Sequence, residues 1–165
     1  MDPTPSRDAF RFALADEQDF VEVDADHLLQ IAAAVLRDEQ ITQAEVSLAL
    51  VDDASIHEIN RRYLNHDFPT DVISFSLQDD DGPPRAETHR GRRGRLLEGE
   101  IVISGETASR VAQEWGAAPE AEVALYLVHG LLHLCGYDDH SAADRSEMRQ
   151  RERTHLQKFG IRPNY

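Results

Sequence analysis

The sequence predicts an α/β (α+β) fold in which a small twisted sheet is covered by helices. Three observations carry this. Strand-like and helix-like periodicities alternate over roughly two-thirds of the chain, and helical patterns dominate the rest. The length, 165 residues, is that of one domain with a real core, so 1–165 is read as a single unit. The stretch around Leu125 to Leu134 carries Leu125, Leu127, Val128, Leu131 and Leu132 away from its histidines, so this helix must pack on the sheet.

Residues 1–9 are polar with two prolines and are read as loose. Phe10, Phe12 and Leu14 alternate, which predicts a first strand. Asp24 or Asp26 caps a helix running to about Arg37, with Leu28, Ile31, Ala32, Val35 and Leu36 on one face. Val46, Leu48 and Leu50 alternate in a second strand, and Asp52-Asp53 opens a short helix from about Ala54 to Tyr63. Phe68 to Asp71 is a turn. Val72 to Leu77 is a third strand, and its apolar residues on both faces predict an interior position. Residues 78–97 are charged, contain Pro83-Pro84 and read as a long loop. Glu100 to Ile103 is a fourth strand, and Ser104 caps a helix to about Trp115. Pro119 suits the first turn of the next helix. Ser141 with Asp144 resembles a capping box and starts a polar helix to about Lys158.

Composition narrows the function classes. Hydrophobic residues make up 41% of the chain, as in a soluble globular protein. No run approaches the length of a membrane span, and the N-terminus shows no secretory signal. Cys135 is the one cysteine, so no intrachain disulfide forms and a cytoplasmic location is expected. The net charge of −14 would repel nucleic acid if it were uniform. It is not uniform: Arg90, Arg92, Arg93 and Arg95 fall in one Gly-spaced run. That run is either a phosphate-contacting loop or a solvated insertion between strands.

The chemistry concentrates in Leu125 to His140. His129 and His133 are four residues apart in a helical run, which puts both imidazoles on one face, one turn apart. Two such imidazoles can chelate one cation at about 2.0–2.1 Å each. Gly136 suits the left-handed position that ends a helix, and the turn beyond it offers His140 as a third ligand. Three protein ligands and an open position describe a catalytic zinc ion, one per chain. A lone helix histidine is usually an ordinary core residue; three within twelve residues around a glycine turn favour the metal. Cys135 lies close enough to be weighed as a ligand but reads better as a small buried side chain.

With these residues in hand, the sequence resembles the YbeY metallo-endoribonucleases of bacteria. The segment H-G-L-L-H-L-C-G-Y-D-D-H is similar to that family's H-G-x-L-H-L-x-G-Y-D-H. Asn60 to Phe75 is similar to its T-D-V-L-S-F region, and Gly99 to Ser104 resembles its G-D-I-x-I-S strand. The three blocks run in the family's order. The resemblance implies a mixed four-stranded sheet flanked by helices. It also implies a zinc-dependent, single-strand-specific endoribonuclease acting in 16S rRNA 3′-end maturation and late ribosome quality control. Its partners would be ribosomal RNA and the ribosome or its small subunit, and its ligands His129, His133 and His140.

Two departures from the family pattern matter. The family's third histidine falls six residues after the second, whereas His140 falls seven after His133 because Asp138-Asp139 is doubled. Asp139 therefore holds the usual register, and carboxylate oxygen also binds zinc. Imidazole is the commonest metal ligand, which favours His140. Some relatives carry a functionally important Arg directly after the tyrosine of the second block, where this chain has Leu64. Arg61 and Arg62 would lie on a different helical face.

Zinc can lower the pKa of bound water to near 7 or polarise a phosphoryl oxygen; attack by the RNA 2′-OH is a further route the sequence leaves open. Zincin proteases carry a Glu base directly after the first histidine, and Gly130 at that place argues against a peptide or amide hydrolase. Asp138 is the nearest alternative base, although an Asp in such a turn equally serves its own backbone. Tyr137 could stack a base but reads better as packing, and Asp71 as a turn-orienting residue. A ribosome-associated protein with structural zinc is the remaining alternative.

Overall fold

The alternating apolar runs become strands because each has a partner to satisfy its backbone. A computed structural model describes residues 9–64, 70–77 and 96–165. Its strands are β1 (Ala9–Asp16), β2 (Gln43–Val51), β3 (Val72–Ser76) and β4 (Leu96–Ser104). Its helices are α1 (Ala25–Asp38), α2 (Asp53–Leu64), α3 (Gly105–Trp115), α4 (Pro119–Leu134) and α5 (Ala142–Gln157). The sheet order is β1-β2-β4-β3. β1 and β4 run parallel to β2, and β3 runs antiparallel to β4. This is the mixed α/β arrangement that the resemblance implied.

Three expectations need correction. The third strand is an edge strand, not an interior one. It is apolar on both faces because Ile73 packs with Ile56 of α2, while Val72 packs against the main core on the other side. Leu96 and Leu97, assigned to the long loop, belong to β4, where they pair with Gln43 and Ala44. Ala9, assigned to the loose N-terminus, opposes Gln43 in β1. The rest of that N-terminus, and residues 78–95, lie outside the described residues.

Capping follows the sequence. The Asp24 side chain accepts from His27 N at the start of α1, Ser104 from Thr107 N at α3, and Ser141 from Asp144 N at α5. The main core lies between one sheet face and α1 and α4. Leu48, Leu50, Ile101 and Ile103 meet Ile31, Val35, Leu127 and Leu131 there. Nearly every side of α4 is buried, as expected of a helix enclosed by other elements. It can lie close to the sheet because Gly130 faces β4: a Cβ there would stand 3.0 Å from Ile101 Cγ2. His129 and His133 are thus fixed on an element that has no room to shift.

Candidate metal centre

The last turn of α4 sets the position of the site. Gly136, with φ of 104°, ends the helix in a conformation that side chains disfavour. Its N–H donates to the His133 carbonyl at 3.0 Å, and Tyr137 N–H donates to the Leu132 carbonyl at 3.0 Å. These two bonds form a Schellman motif, which turns the chain back across the face that carries the histidines.

His129 Nε2 and His133 Nε2 stand 3.0 Å apart. The far side of each ring is already engaged. His133 Nδ1 lies 3.0 Å from the Tyr137 carbonyl, which can only accept, so Nδ1 carries the proton. His129 Nδ1 lies 2.9 Å from the carboxylate of Glu152, a buried residue of α5. With both Nδ1 atoms donating, two neutral imidazoles would aim lone pairs at one another. A proton or a cation between them relieves that repulsion. Burial pushes the His129 imidazole down, and the Glu152 hydrogen bond and charge outweigh it and raise it. Burial and the neighbouring His129 both push His133 down.

Asp139 completes the cluster. Its Oδ2 lies 3.5 Å from His129 Nε2 and 3.6 Å from His133 Nε2. A tetrahedral ion with ligands at about 2.0–2.1 Å has ligand–ligand edges of about 3.3 Å. The observed triangle of 3.0, 3.5 and 3.6 Å fits such an ion after small adjustments. The orienting bonds from Glu152 and the Tyr137 carbonyl are the outer partners that metal-binding histidines usually have. His129, His133 and Asp139 can therefore hold a metal ion.

The structure brings His129 and His133 together and sets Asp139, rather than His140, against them. His140 has an 87% exposed side chain whose Nε2 lies 3.2 Å from Asp138 Oδ1. The cause is the Schellman turn: it fixes Tyr137, so the additional residue is absorbed beyond Asp139. Asp138 Oδ1 accepts from the Asp139 N–H at 2.8 Å, the turn role weighed for it. Asp71 accepts from Val72 N–H at 2.8 Å and orients the start of β3. The Tyr137 hydroxyl donates to Glu39 at 2.9 Å, so its ring is tied into the fold. Cys135 is wholly buried in the core. Leu64 ends α2 and is 41% exposed, and Arg61 and Arg62 pair with Glu58. Arg90, Arg92, Arg93 and Arg95 lie outside the described residues.

The cluster opens on a cleft of about 360 Å³ lined by Asp71, Glu122, His129, Asp139, Arg145 and Arg149, among others. Sequence reading had missed Glu122 and Glu152 in this site. Glu122 is 3% exposed, and burial raises its carboxyl. Glu152 falls in step with the buried Met148, His155 and Leu156 of α5, a helical register in which an acid stands out.

A family model described as Endoribonuclease YbeY matches residues 13–160. The chain belongs to the YbeY endoribonuclease family. An Endoribonuclease YbeY of Moorella thermoacetica is 44% identical over 135 residues, covering 82% of this chain and 84% of that protein. One of Desulfitobacterium hafniense is also 44% identical, over 133 residues, covering 79% and 82%. The solution structure of TM1509 from Thermotoga maritima shares the fold, with a TM-score of 0.55 at 22% identity over 93% of this chain and 95% of that one. In this YbeY chain the family's histidine helix is α4, its T-D-V-L-S-F region enters β3, and its G-D-I-x-I-S strand is β4. Among the described residues no helix is long and apolar enough to cross a membrane.

Proposed function

We propose that this protein is a zinc-dependent, single-strand-specific endoribonuclease that matures the 3′ end of 16S rRNA and acts in late ribosome quality control. Its place would be the cytoplasm, on the small ribosomal subunit. The observation that carries the reading is the convergence of two imidazole lone pairs and one carboxylate on a single point at the mouth of an open cleft. The family relatives bear the name of an endoribonuclease.

His129, His133 and Asp139 would hold the ion, with His140 as the alternative third ligand that the resemblance implies. Zinc when bound supplies a positive field for a phosphoryl oxygen and acidifies water. Glu152 keeps the proton on His129 Nδ1, so Nε2 stays a donor to metal. The Tyr137 carbonyl does the same for His133. Gly130 faces Ile101 and the sheet, so the position that holds the base in zincin proteases cannot face this cleft. That geometry disfavours peptide hydrolysis.

The test compares zinc-loaded and chelator-stripped protein on single-stranded and duplex RNA. Cleavage of single strands by the loaded form alone is expected, with 16S precursor cut near its 3′ end. Equal cleavage by the stripped protein would overturn metal dependence, and no cleavage of any RNA would overturn the nuclease reading.

A further inference from the structure

Among the described residues, the cleft next to the metal ligands carries the carboxylates Asp71, Glu122, Asp139 and Glu152, in a chain of net charge −14. Its cationic lining among the described residues, apart from His129, is Arg145 and Arg149 of α5. A second hollow, of about 230 Å³, continues from these two along the same helix and is lined by Ala142, Arg145, Ser146, Arg149 and Arg153. The two hollows share Arg145 and Arg149, so a strand leaving the metal site has a continuous path along α5.

Arg145, Arg149 and Arg153 recur every fourth residue and are exposed. An i, i+4 step advances about 6 Å along a helix, which suits successive phosphates of an extended single strand. The acids Asp144 and Glu147 fall about 100° and about 160° from Arg145 around the helix, off the stripe. Ala142 and Ser146 keep the floor between the guanidinium groups low. Arg145 Nη1 donates to the His140 carbonyl at 3.0 Å. Arg149 and Arg153 lie 5.1 and 5.2 Å from the ring centroid of Tyr165. Tyr165 is itself fixed by a 2.5 Å hydrogen bond from its hydroxyl to Glu152. All three guanidinium groups are thus held in place by carbonyls or a ring face, and their charge stays available to an anion. Glu152 lies only about 20° from Arg145 around the helix, but its carboxylate is buried and taken up by His129 and Tyr165, so it does not cover the exposed guanidinium groups.

We propose that Arg145, Arg149 and Arg153 form a phosphate track along α5 that guides single-stranded RNA into the metal cleft. The proposal rests on the RNA reading above and extends it to the substrate contacts. Each arginine takes one backbone phosphate, and the track carries no base specificity.

The experiment uses the Arg149→Gln/Arg153→Gln variant of the zinc-loaded full chain. Arg145 is left in place because it also holds the turn at Asp139 and His140. Binding of a fluorescent single-stranded RNA is followed across a KCl series, with the RNA checked for integrity, and cleavage is followed separately. Loss of two phosphate contacts on a single strand should flatten the log K against log salt slope by about 1.4. In cleavage, KM should rise about tenfold, with the loss in KM rather than kcat. The Arg149→Lys/Arg153→Lys variant should recover the slope, because it restores the charges. An unchanged slope and KM in the Gln variant would overturn the track while leaving the nuclease reading standing. If wild type binds RNA but does not cleave it, the nuclease reading falls and the slope still decides the track. If wild type binds no RNA, both fall.

Discussion

Glu39, the residue that ends α1, accepts a hydrogen bond from the hydroxyl of Tyr137 at 2.9 Å, across 98 positions of chain. The same carboxylate accepts from His155 Nε2 at 2.9 Å and pairs with Arg151. Glu39 is 4% exposed and His155 1%, so this hub lies in the interior. It ties α1 and α5 to the turn whose carbonyl orients His133. Replacing Glu39 with Ala leaves a buried imidazole, a guanidinium and a hydroxyl without their acceptor. Destabilisation of about 3 kcal/mol is expected in urea unfolding. Zinc affinity should fall as well, through the loosened Tyr137 turn. A stability change below about 1 kcal/mol would show that water substitutes for the carboxylate.

The same residue sets an acid limit. Burial pushes the Glu39 carboxyl up, but hydrogen bonds from His155, Arg151 and Tyr137 outweigh it and bring it from 4.5 to about 2. A carboxyl lower in the folded than in the unfolded protein stabilises above the unfolded value. That stability is lost as pH falls through the window from 4.5 toward 2. Its size is about 3 kcal/mol. Urea midpoints should therefore differ between wild type and Glu39→Gln at pH 7 and converge toward pH 3. A gap that stays constant over that range would assign the acid sensitivity to other groups.

Glu152 should matter for metal affinity without touching the metal. It holds His129 Nδ1 at 2.9 Å and is 4% exposed. Outer partners of metal-binding histidines contribute about 10–100-fold in affinity. Glu152→Gln should weaken zinc binding in a competition titration by that order while leaving α5 folded by circular dichroism. The amide can still accept from Nδ1–H, so Glu152→Ala should lose more. Equal affinity in wild type and both variants would mean that the His129 ring is oriented by packing alone.

Much of this was legible in the sequence because it follows local rules. The caps at Asp24, Ser104 and Ser141, the glycine that ends α4 and the spacing of His129 and His133 each depend on neighbouring residues. What depends on distant pairing was not. Two apolar faces on residues 72–77 do not distinguish a central strand from an edge strand covered on both sides. Glu39 and Glu152 each meet their partners across the fold, 98 positions away for Tyr137 and 23 for His129. The arginines of α5 read in the sequence only as part of a polar helix, and the cleft beside them is what gives their spacing a use.

The last prediction concerns the third ligand. Asp139 stands six positions after His133, in the family register, and its Oδ2 already lies 3.5–3.6 Å from both Nε2 atoms. His140 stands one position later with its side chain in solvent. Reaching the metal point would require His140 to give up its contact with Asp138, in a turn that Arg145 holds by donating to the carbonyls of Asp139 and His140. Asp139→Ala should therefore reduce zinc affinity far more than His140→Ala. A carboxylate ligand also lowers the charge of the site from +2 to +1, so the bound water is acidified less than with three imidazoles. Deleting Asp139 places His140 in the family register, and that variant should keep zinc while its activity profile shifts to lower pH. If His140→Ala loses zinc and Asp139→Ala keeps it, the turn rearranges on metal binding and the third ligand is the imidazole.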